Sequence, residues 1–310
     1  MAEAPIAVIG SANTDLTVVT DHLPRPGETV LGGDLNRAGG GKGANQAVAA
    51  ARAGGQVSFI GRVGEDEFGE TTRRNLRREG VGVEHLRTDE DAPSGVALIM
   101  VDRAGENLIA VAPGANARLS PEDIQEAEQT IAEASVVLLQ LEIKHETVRA
   151  AVRTAEAAGV PVVLNPAPAP PTGELDHLLG RLACVTPNEG EAARLLGRSE
   201  ESAPEDLAAG LLERGVEAVV LTLGSDGVCV CDEAGCNRLE PPRVEARDTV
   251  AAGDCFTGVL AVALGEGRPL REAARLAVCG AALSVQRPGA QPSLPYREEM
   301  ERLCRQQGSS

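Results

Sequence analysis

Asp248-Thr249-Val250-Ala251-Ala252-Gly253-Asp254 runs from a polar loop straight into the apolar helical pattern Cys255 to Leu264. Small residues at Ala251, Ala252 and Gly253 let backbone N–H groups converge at a helix N-terminus. Unpaired donors and the macrodipole there both favour an anion such as a transferring phosphoryl group. Asp254 falls in the first helical turn, facing the same space, so the segment reads as an anion site with its own carboxylate base. Taken singly, Asp248 or Asp254 would serve as an N-cap and Gly253 as a turn residue. A second glycine-rich segment, Gly39-Gly40-Gly41-Lys42-Gly43-Ala44-Asn45-Gln46, also opens a helix, and the pair of loops tips the reading towards chemistry.

Phosphoryl transfer passes through a loose transition state, so a protein chiefly positions the reactants and stabilises equatorial charge. A carboxylate at a helix N-terminus is expected to stay ionised near neutral pH and to accept the hydroxyl proton late. The N–H groups of Ala251, Ala252 and Gly253 would form the anion hole. Asn13 and Asp15 are short polar residues that follow the first strand at its carboxyl end, where open α/β sheets build ligand crevices, and they suit adjacent sugar hydroxyls. Two nucleotide motifs are excluded. Gly41-Lys42-Gly43 lacks the Ser or Thr that follows lysine in a Walker A loop. Gly10-Ser11-Ala12-Asn13 supplies a single glycine where the dinucleotide fingerprint needs three.

The elements that must position these residues alternate between short apolar runs and helical patterns, which predicts a mostly parallel sheet with crossover helices. Strands are expected at Ile6 to Ile9, Val57 to Ile60, Val136 to Leu139, Val160 to Leu164, Ala183 to Val185 and Ala218 to Leu221. Helices are expected at Ala44 to Ala53, Glu67 to Glu79, Pro121 to Glu133, Glu146 to Ala158, Glu189 to Leu196, Pro204 to Arg214, Asp254 to Leu264 and Leu270 to Val285. Asp15 to Leu35 and Ser94 to Val111 break this rhythm and read as a small β layer outside the main sheet. Such a flap would close over a site and exclude water.

The 310 residues carry a net charge of −17, which argues against a nucleic-acid partner. No apolar run approaches the ~18 to 20 residues of a membrane helix, and Met1-Ala2-Glu3-Ala4-Pro5 has no basic region followed by an apolar one, so a cytoplasmic location is expected. Seven cysteines without framework spacing suggest reduced thiols. Cys229, Cys231 and Cys236 read as a hairpin with small buried thiols in preference to a zinc site. Aromatic residues are confined to Phe59, Phe68, Phe256 and Tyr296, so aliphatic and alanine packing must carry the core.

Gly39 to Arg62 followed by Gly64-Glu65-Asp66-Glu67-Phe68-Gly69, and Asp248 to Val259, resemble in order the two signatures of the ribokinase and phosphofructokinase-B family of carbohydrate kinases, in its ribokinase branch. Pro26-Gly27-Glu28-Thr29, Gly114-Ala115-Asn116, Asn165-Pro166-Ala167-Pro168, Thr186-Pro187-Asn188-Glu189, Thr222-Leu223-Gly224-Ser225 and Gly289-Ala290-Gln291-Pro292-Ser293 extend the likeness over nearly the whole chain. The resemblance implies a single Rossmann-like α/β domain over 1–310, with a small β-sheet lid formed by about 12–35 and 94–111. It implies ATP-dependent transfer to the terminal hydroxyl of a sugar, giving ribose 5-phosphate and ADP if the sugar is ribose.

By the same resemblance, Gly41, Lys42, Asn45 and Glu142 join Asn13, Asp15 and Asp254 around the sugar. Asn188, Thr222, Gly224, Ser225 and Gly227 surround ATP, with Gly253 approaching the phosphates. Asn188 and Glu191 match an Asn-x-x-Glu element that influences Mg²⁺ through water, although Asn188 would also cap the helix it opens, with Glu191 completing a capping box. A monovalent cation, K⁺, is implied at Asp248, Val250, Ser284, Arg287, Gly289 and Ser293, and a homodimer through the lid at Val96, Leu98 and Met100. Two positions depart from the pattern. Cys255 stands where Thr or Ser is commoner and offers an oxidisable thiol, and Val278 stands near the adenine pocket where a polar ring residue is often found. Kinases of 2-deoxyribose, fructose 6-phosphate or adenosine are alternatives within the family, and a non-catalytic sugar-binding regulator is an alternative outside enzymology. Purine recognition favours aromatic stacking that the N-terminal segments lack. A sugar phosphate would call for a basic cluster, for which Arg37 and Lys144 are the candidates.

Overall fold

The structure, a computed structural model, describes residues 4–307, so the segment Met1 to Pro5 read for targeting lies partly outside the described residues. The strands are β1 (Pro5–Ile9), β2 (Asn13–Val19), β3 (Asn36–Gly40), β4 (Gln56–Gly64), β5 (Leu86–Asp89), β6 (Gly95–Val101), β7 (Asn107–Ala112), β8 (Val136–Leu139), β9 (Val162–Leu164), β10 (Cys184–Val185), β11 (Val219–Thr222), β12 (Val228–Asp232) and β13 (Gly235–Leu239). The helices are α1 (Lys42–Arg52), α2 (Glu67–Arg78), α3 (Pro121–Glu126), α4 (Glu128–Ala132), α5 (His145–Ala158), α6 (Asp176–Leu179), α7 (Glu189–Leu196), α8 (Pro204–Leu212), α9 (Ala252–Gly265), α10 (Leu270–Ser284) and α11 (Arg297–Gln307).

Nine strands form one sheet in the order β13-β12-β11-β10-β9-β8-β1-β4-β5. From β11 to β5 the strands are parallel, and β12 and β13 close the far edge as an antiparallel hairpin. Alternation along β1 divides the core: Ile6 and Val8 pack with residues of α1, α9 and α10, whereas Ala7 and Ile9 pack with residues of α3, α5, α7 and α8. Helices on both faces explain why the central strands read as unbroken apolar runs. The order also creates a switch point. From β1 the chain builds outward through β4 and β5, then returns to β8 and builds the other way, so the carboxyl ends of β1 and β8 flank a crevice.

All six expected core strands and the main helices are present, with two departures. The helix expected over Pro121 to Glu133 is broken at Ala127 into α3 and α4. The C-terminal α11 was not anticipated, because its sequence buries Met300 alone and carries no apolar stripe to betray it. The cysteine expectation is corrected as well. Cys231 and Cys236 face each other across the β12–β13 register with Cα atoms 4.2 Å apart and are disulfide-bonded, and a second bond joins Cys279 of α10 to Cys304 of α11. Pairing depends on register and on helix packing, which linear spacing does not encode. Cys184, Cys229 and Cys255 are buried free thiols.

A separate sheet runs β3-β2-β6-β7. The expected β-rich segment Asp15 to Leu35 is strand only to Val19; pairing resumes at β3 beyond a loop holding Pro24, Pro26, Gly27, Gly32 and Gly33. Every residue of β7 is exposed, and Leu98, Leu108, Ile109 and Val111 leave apolar surface on this sheet. No helix among the described residues is long and apolar enough to cross a membrane.

Candidate active site

Four elements bring chemistry to the switch point. Leaving β1, the chain passes Ser11 and enters β2 at Asn13; β3 delivers Gly40 and Gly41 to the start of α1; β8 ends before Glu142; and α9 begins beside them at Ala252. Gly41 has a φ of 85°, and a Cβ there would lie 2.7 Å from the Asn13 backbone nitrogen, so both dihedral and close approach demand glycine. The Lys42 N–H, at the α1 N-terminus, donates to Glu142 Oε2 (3.0 Å), which also accepts from the Ser11 hydroxyl (2.6 Å). The helix terminus therefore fixes Glu142 in place.

Asp254 sits in the first turn of α9, 7% exposed. Asn45 Nδ2 donates to its Oδ2 (3.0 Å) and Gln46 Nε2 to its Oδ1 (2.9 Å). Burial pushes its carboxyl above the ordinary range, opposed by the Lys42 charge and by the Asn45 and Gln46 donors, with Glu142 adding to the rise. Burial thus works against the ionised form that the helix terminus was expected to favour. Before it, Ala251 has φ 59°, the sole left-handed non-glycine among the described residues. A strained residue at this turn marks a loop whose shape the surroundings impose. The Ala252 N–H, expected in the anion hole, instead donates back to the Thr249 carbonyl (3.2 Å), which leaves Ala251 and Gly253 of that set. A Cβ built on Gly253 would meet nothing within 4 Å, so open space lies over the helix start.

Asn13 is buried at the entrance of β2, and its Oδ1 accepts from Asn116 Nδ2 (2.7 Å). Asn116 is itself oriented by backbone: Ala12 N–H donates to its Oδ1 and its Nδ2 donates to Ala12 O. Asn13 is therefore left with its Nδ2 as the group to offer a ligand. Asp15 lies over Gly40, where a Cβ would come within 2.1 Å of its carboxylate. Burial, then the charges of Glu142 and Asp254, raise Asp15 to about 7. Lys42 is the counter-charge: burial pulls its ammonium down, but Asp254, Glu142 and Glu191 outweigh burial and hold it above its ordinary value. Asn45 Oδ1 is buried and without a hydrogen-bond partner among the described residues. An orphaned acceptor beside a carboxylate is a fitting partner for a ligand hydroxyl.

Asn188 and Glu191 form the capping box of α7, with Glu191 N–H donating to Asn188 Oδ1 (2.7 Å) and Asn188 N–H to Glu191 Oε2 (2.8 Å). Burial raises the Glu191 carboxyl, the Asn188 N–H and Lys42 oppose it, and Asp254 adds to it. Asn188 bridges to Thr222 at the end of β11. Gly224, Ser225 and Gly227 follow in an open 3-10 turn, with no hydrogen bond joining them to the sugar-side residues among the described residues. Gly227 has φ 87° and a Cβ there would lie 2.1 Å from Leu239 O.

Asp248 accepts from Val250 N–H (3.0 Å) and from Gly289 N–H (2.7 Å), tying the loop before α9 to the segment after α10. Arg287 N–H donates to Ser284 O, and the hydroxyls of Ser284 and Ser293 turn to the carbonyls of Ala281 and Ala290. Both Asp248 oxygens and both serine hydroxyls are thus engaged with neighbouring backbone groups. Cys255 is fully buried and burial pushes its thiol up to about 12, away from the thiolate that oxidation requires. Val278 is buried in α10.

Sequence reasoning passed over Gln46, Asn116, Gln140 and Asn165 as site residues, although Gln46, Asn116 and Asn165 lay inside segments noted above. Their burial and their partners emerge only from the fold.

A model of the family described as pfkB family carbohydrate kinase matches residues 4–297. The chain is 40% identical to a ribokinase of Haemophilus influenzae over 95% of this chain and 96% of that one. It is 39% identical to a ribokinase of Bacillus subtilis over 96% and 98%. Among solved structures, the crystal structure of a Thermotoga maritima ribokinase aligns with a TM-score of 0.88 at 36% identity, covering 97% of this chain and 99% of that one. An Arabidopsis thaliana ribokinase complexed with ribose and ATP aligns with a TM-score of 0.88 at 33% identity, over 97% and 99%.

Proposed function

The chain belongs to the pfkB family of carbohydrate kinases, and we propose that it transfers the γ-phosphoryl group of ATP to the 5-hydroxyl of ribose, giving ribose 5-phosphate and ADP. The observation that carries this reading is the convergence of Asp254, Asn45, Lys42, Glu142, Asp15 and Asn13 on one crevice beside the α9 N-terminus. Asn13 Nδ2, Asn45 Oδ1 and the Asp15 carboxylate offer the sugar hydroxyls one donor and two acceptors. Asp254 takes the proton as the 5-oxygen bonds to phosphorus and the bridging bond to ADP breaks. Lys42 and the free N–H groups at the start of α9 meet the charge on the moving group, and the open space over Gly253 gives it room.

Asn188, Thr222, Gly224, Ser225 and Gly227 hold ATP where the backbone lies open. ATP comes with a divalent ion, Mg²⁺, which neutralises phosphate charge when bound; Glu191 anchors its waters. K⁺ at Asp248, Val250, Ser284, Arg287, Gly289 and Ser293 would steady the loop that shapes the anion hole. The second sheet acts as lid to a single domain, and its exposed apolar face supports a homodimer in the cytoplasm. An unphosphorylated sugar is favoured over a sugar phosphate because Arg37 and Lys144 stand apart and are paired with Glu67 and Glu146.

The test is ATP consumption with ribose, 2-deoxyribose, fructose 6-phosphate and adenosine, in K⁺ and in Na⁺, beside Asp254→Asn. Ribose turnover that rises with K⁺ and drops by about 10³-fold in the variant is expected. Turnover with another acceptor alone would move the substrate, and sugar binding without any turnover would leave a silent binder.

A further inference from the structure

Three amides, Asn165, Gln46 and Gln140, form a directed chain ending on Asp254. The Thr186 carbonyl, just past β10, can only accept, and it takes a hydrogen bond from Asn165 Nδ2 (2.8 Å). Asn165 must then present Oδ1, which accepts from Gln46 Nε2 (3.2 Å). The other hydrogen of the same nitrogen goes to Asp254 Oδ1 (2.9 Å). Gln46 Oε1 accepts from Gln140 Nε2 (2.7 Å), and the flipped Gln46 amide is excluded because its oxygen would then face Asn165 Oδ1 and Asp254 Oδ1. Gln46 and Gln140 are 0% exposed, and Gln140 Oε1 is left with no partner among the described residues. A buried orphan acceptor is an unfavourable arrangement, tolerated here where the other end of Gln140 holds the Gln46 oxygen.

We propose that Gln46 is a positioning residue for phosphoryl transfer. Its amide, aimed by Thr186 through Asn165 and locked by Gln140, holds Asp254 Oδ1 and leaves Oδ2, shared with Asn45, to take the hydroxyl proton. A fixed donor favours the ionised carboxylate and sets its plane; three strand ends supply the rigidity, since Gln140, Asn165 and Thr186 follow β8, β9 and β10. The inference rests on the reading of Asp254 as the base. The charged and titratable groups facing Asp254 are Lys42 on α1, Asp15 on β2, Glu142 after β8 and Glu191 on α7, with Cys255 next to it on α9. All of these are retained when Gln46 alone is changed.

Gln46→Met and Gln140→Met, checked for folding by circular dichroism, are compared with the unaltered enzyme and with Asp254→Asn. In Gln46→Met the acid limb of kcat should move up by about one pH unit, with the plateau regained at higher pH, while ribose affinity by calorimetry changes less than about twofold. Gln140→Met should shift the limb in the same direction by less, and it decides the matter if Gln46→Met does not fold. An unmoved limb in the folded variant, or an equal loss at every pH with a raised KM, overturns the positioning role while Asp254→Asn remains inactive. Full activity in Asp254→Asn would overturn the base reading, and this inference with it.

Discussion

The sugar side and the nucleotide side of the crevice are built on different plans. Asn13, Asn45 and Asp254 are between 4% and 7% exposed, and the polar groups of Asn13 and Asp254 are fixed by further buried side chains, Asn116 and Gln46. Gly224 and Ser225 are exposed, and the Ser225 hydroxyl reaches only its neighbour Asp226. A small sugar offers little surface, so discrimination must come from donors and acceptors whose directions are set before binding. A nucleotide brings a large surface and a chain of phosphates, which an open backbone can approach without side-chain order.

Gly253 stands where the two plans meet and offers the largest test after loss of the base itself. Because a Cβ there meets nothing in the free protein, Gly253→Ala should leave the fold intact and raise stability by up to about 1 kcal/mol, as glycine to alanine does inside a helix. It should nonetheless lower kcat by about 10²-fold, since the added methyl enters the space through which the phosphoryl group passes. Thermal denaturation beside turnover checks both halves. Unchanged turnover would mean that the transferring group travels elsewhere.

The parallel sheet and α9 were legible from sequence because each belongs to a local pattern, an apolar run or a loop opening a helix; Gly253 and Asp15 were singled out from such patterns too, whereas Glu142 was singled out by resemblance alone. The residues missed act across long separations. Asn116 reaches Asn13 over 103 positions and Gln46 reaches Asp254 over 208, and nothing in local spacing records such a contact. The disulfides were missed for the same reason. The helix terminus of Asp254 is visible in sequence, whereas the burial that pushes its carboxyl up is not.

Asn116 gives the next test of preorganised direction. Asn116→Asp keeps the oxygen that accepts from Ala12 N–H but replaces with an acceptor the donor that faces both Asn13 Oδ1 and, more distantly, the Ala12 carbonyl. Asn13 must flip to relieve the clash of lone pairs, turning its oxygen towards the sugar in place of its NH₂ group. Ribose KM should rise about tenfold with kcat changed much less, and the KM for ATP should not move. A parallel rise in both KM values would erase the distinction between the two sides.

The smallest expected effect lies in the acidity of Asp15, which stands at about 7 because of burial and the charges of Glu142 and Asp254. A carboxyl whose folded pKa exceeds its unfolded one binds more protons in the native state over the interval between them. Its contribution to stability is therefore complete at low pH and is lost as pH rises from about 4 to 7. Ribose should act in the opposite sense. Hydroxyl donors favour the ionised form, so affinity should increase by about twofold between pH 7 and 8, and more steeply below, with a proton released on binding. Calorimetry in two buffers of different ionisation enthalpy measures that proton directly, and Asp15→Asn should abolish both the release and the slope. ATP affinity measured without sugar follows the titration of ATP and of Glu191 instead, so Asp15→Asn should leave that profile unmoved. A flat ribose profile would show that Asp15 takes no part in holding the sugar, and preorganisation would then rest on the amides alone.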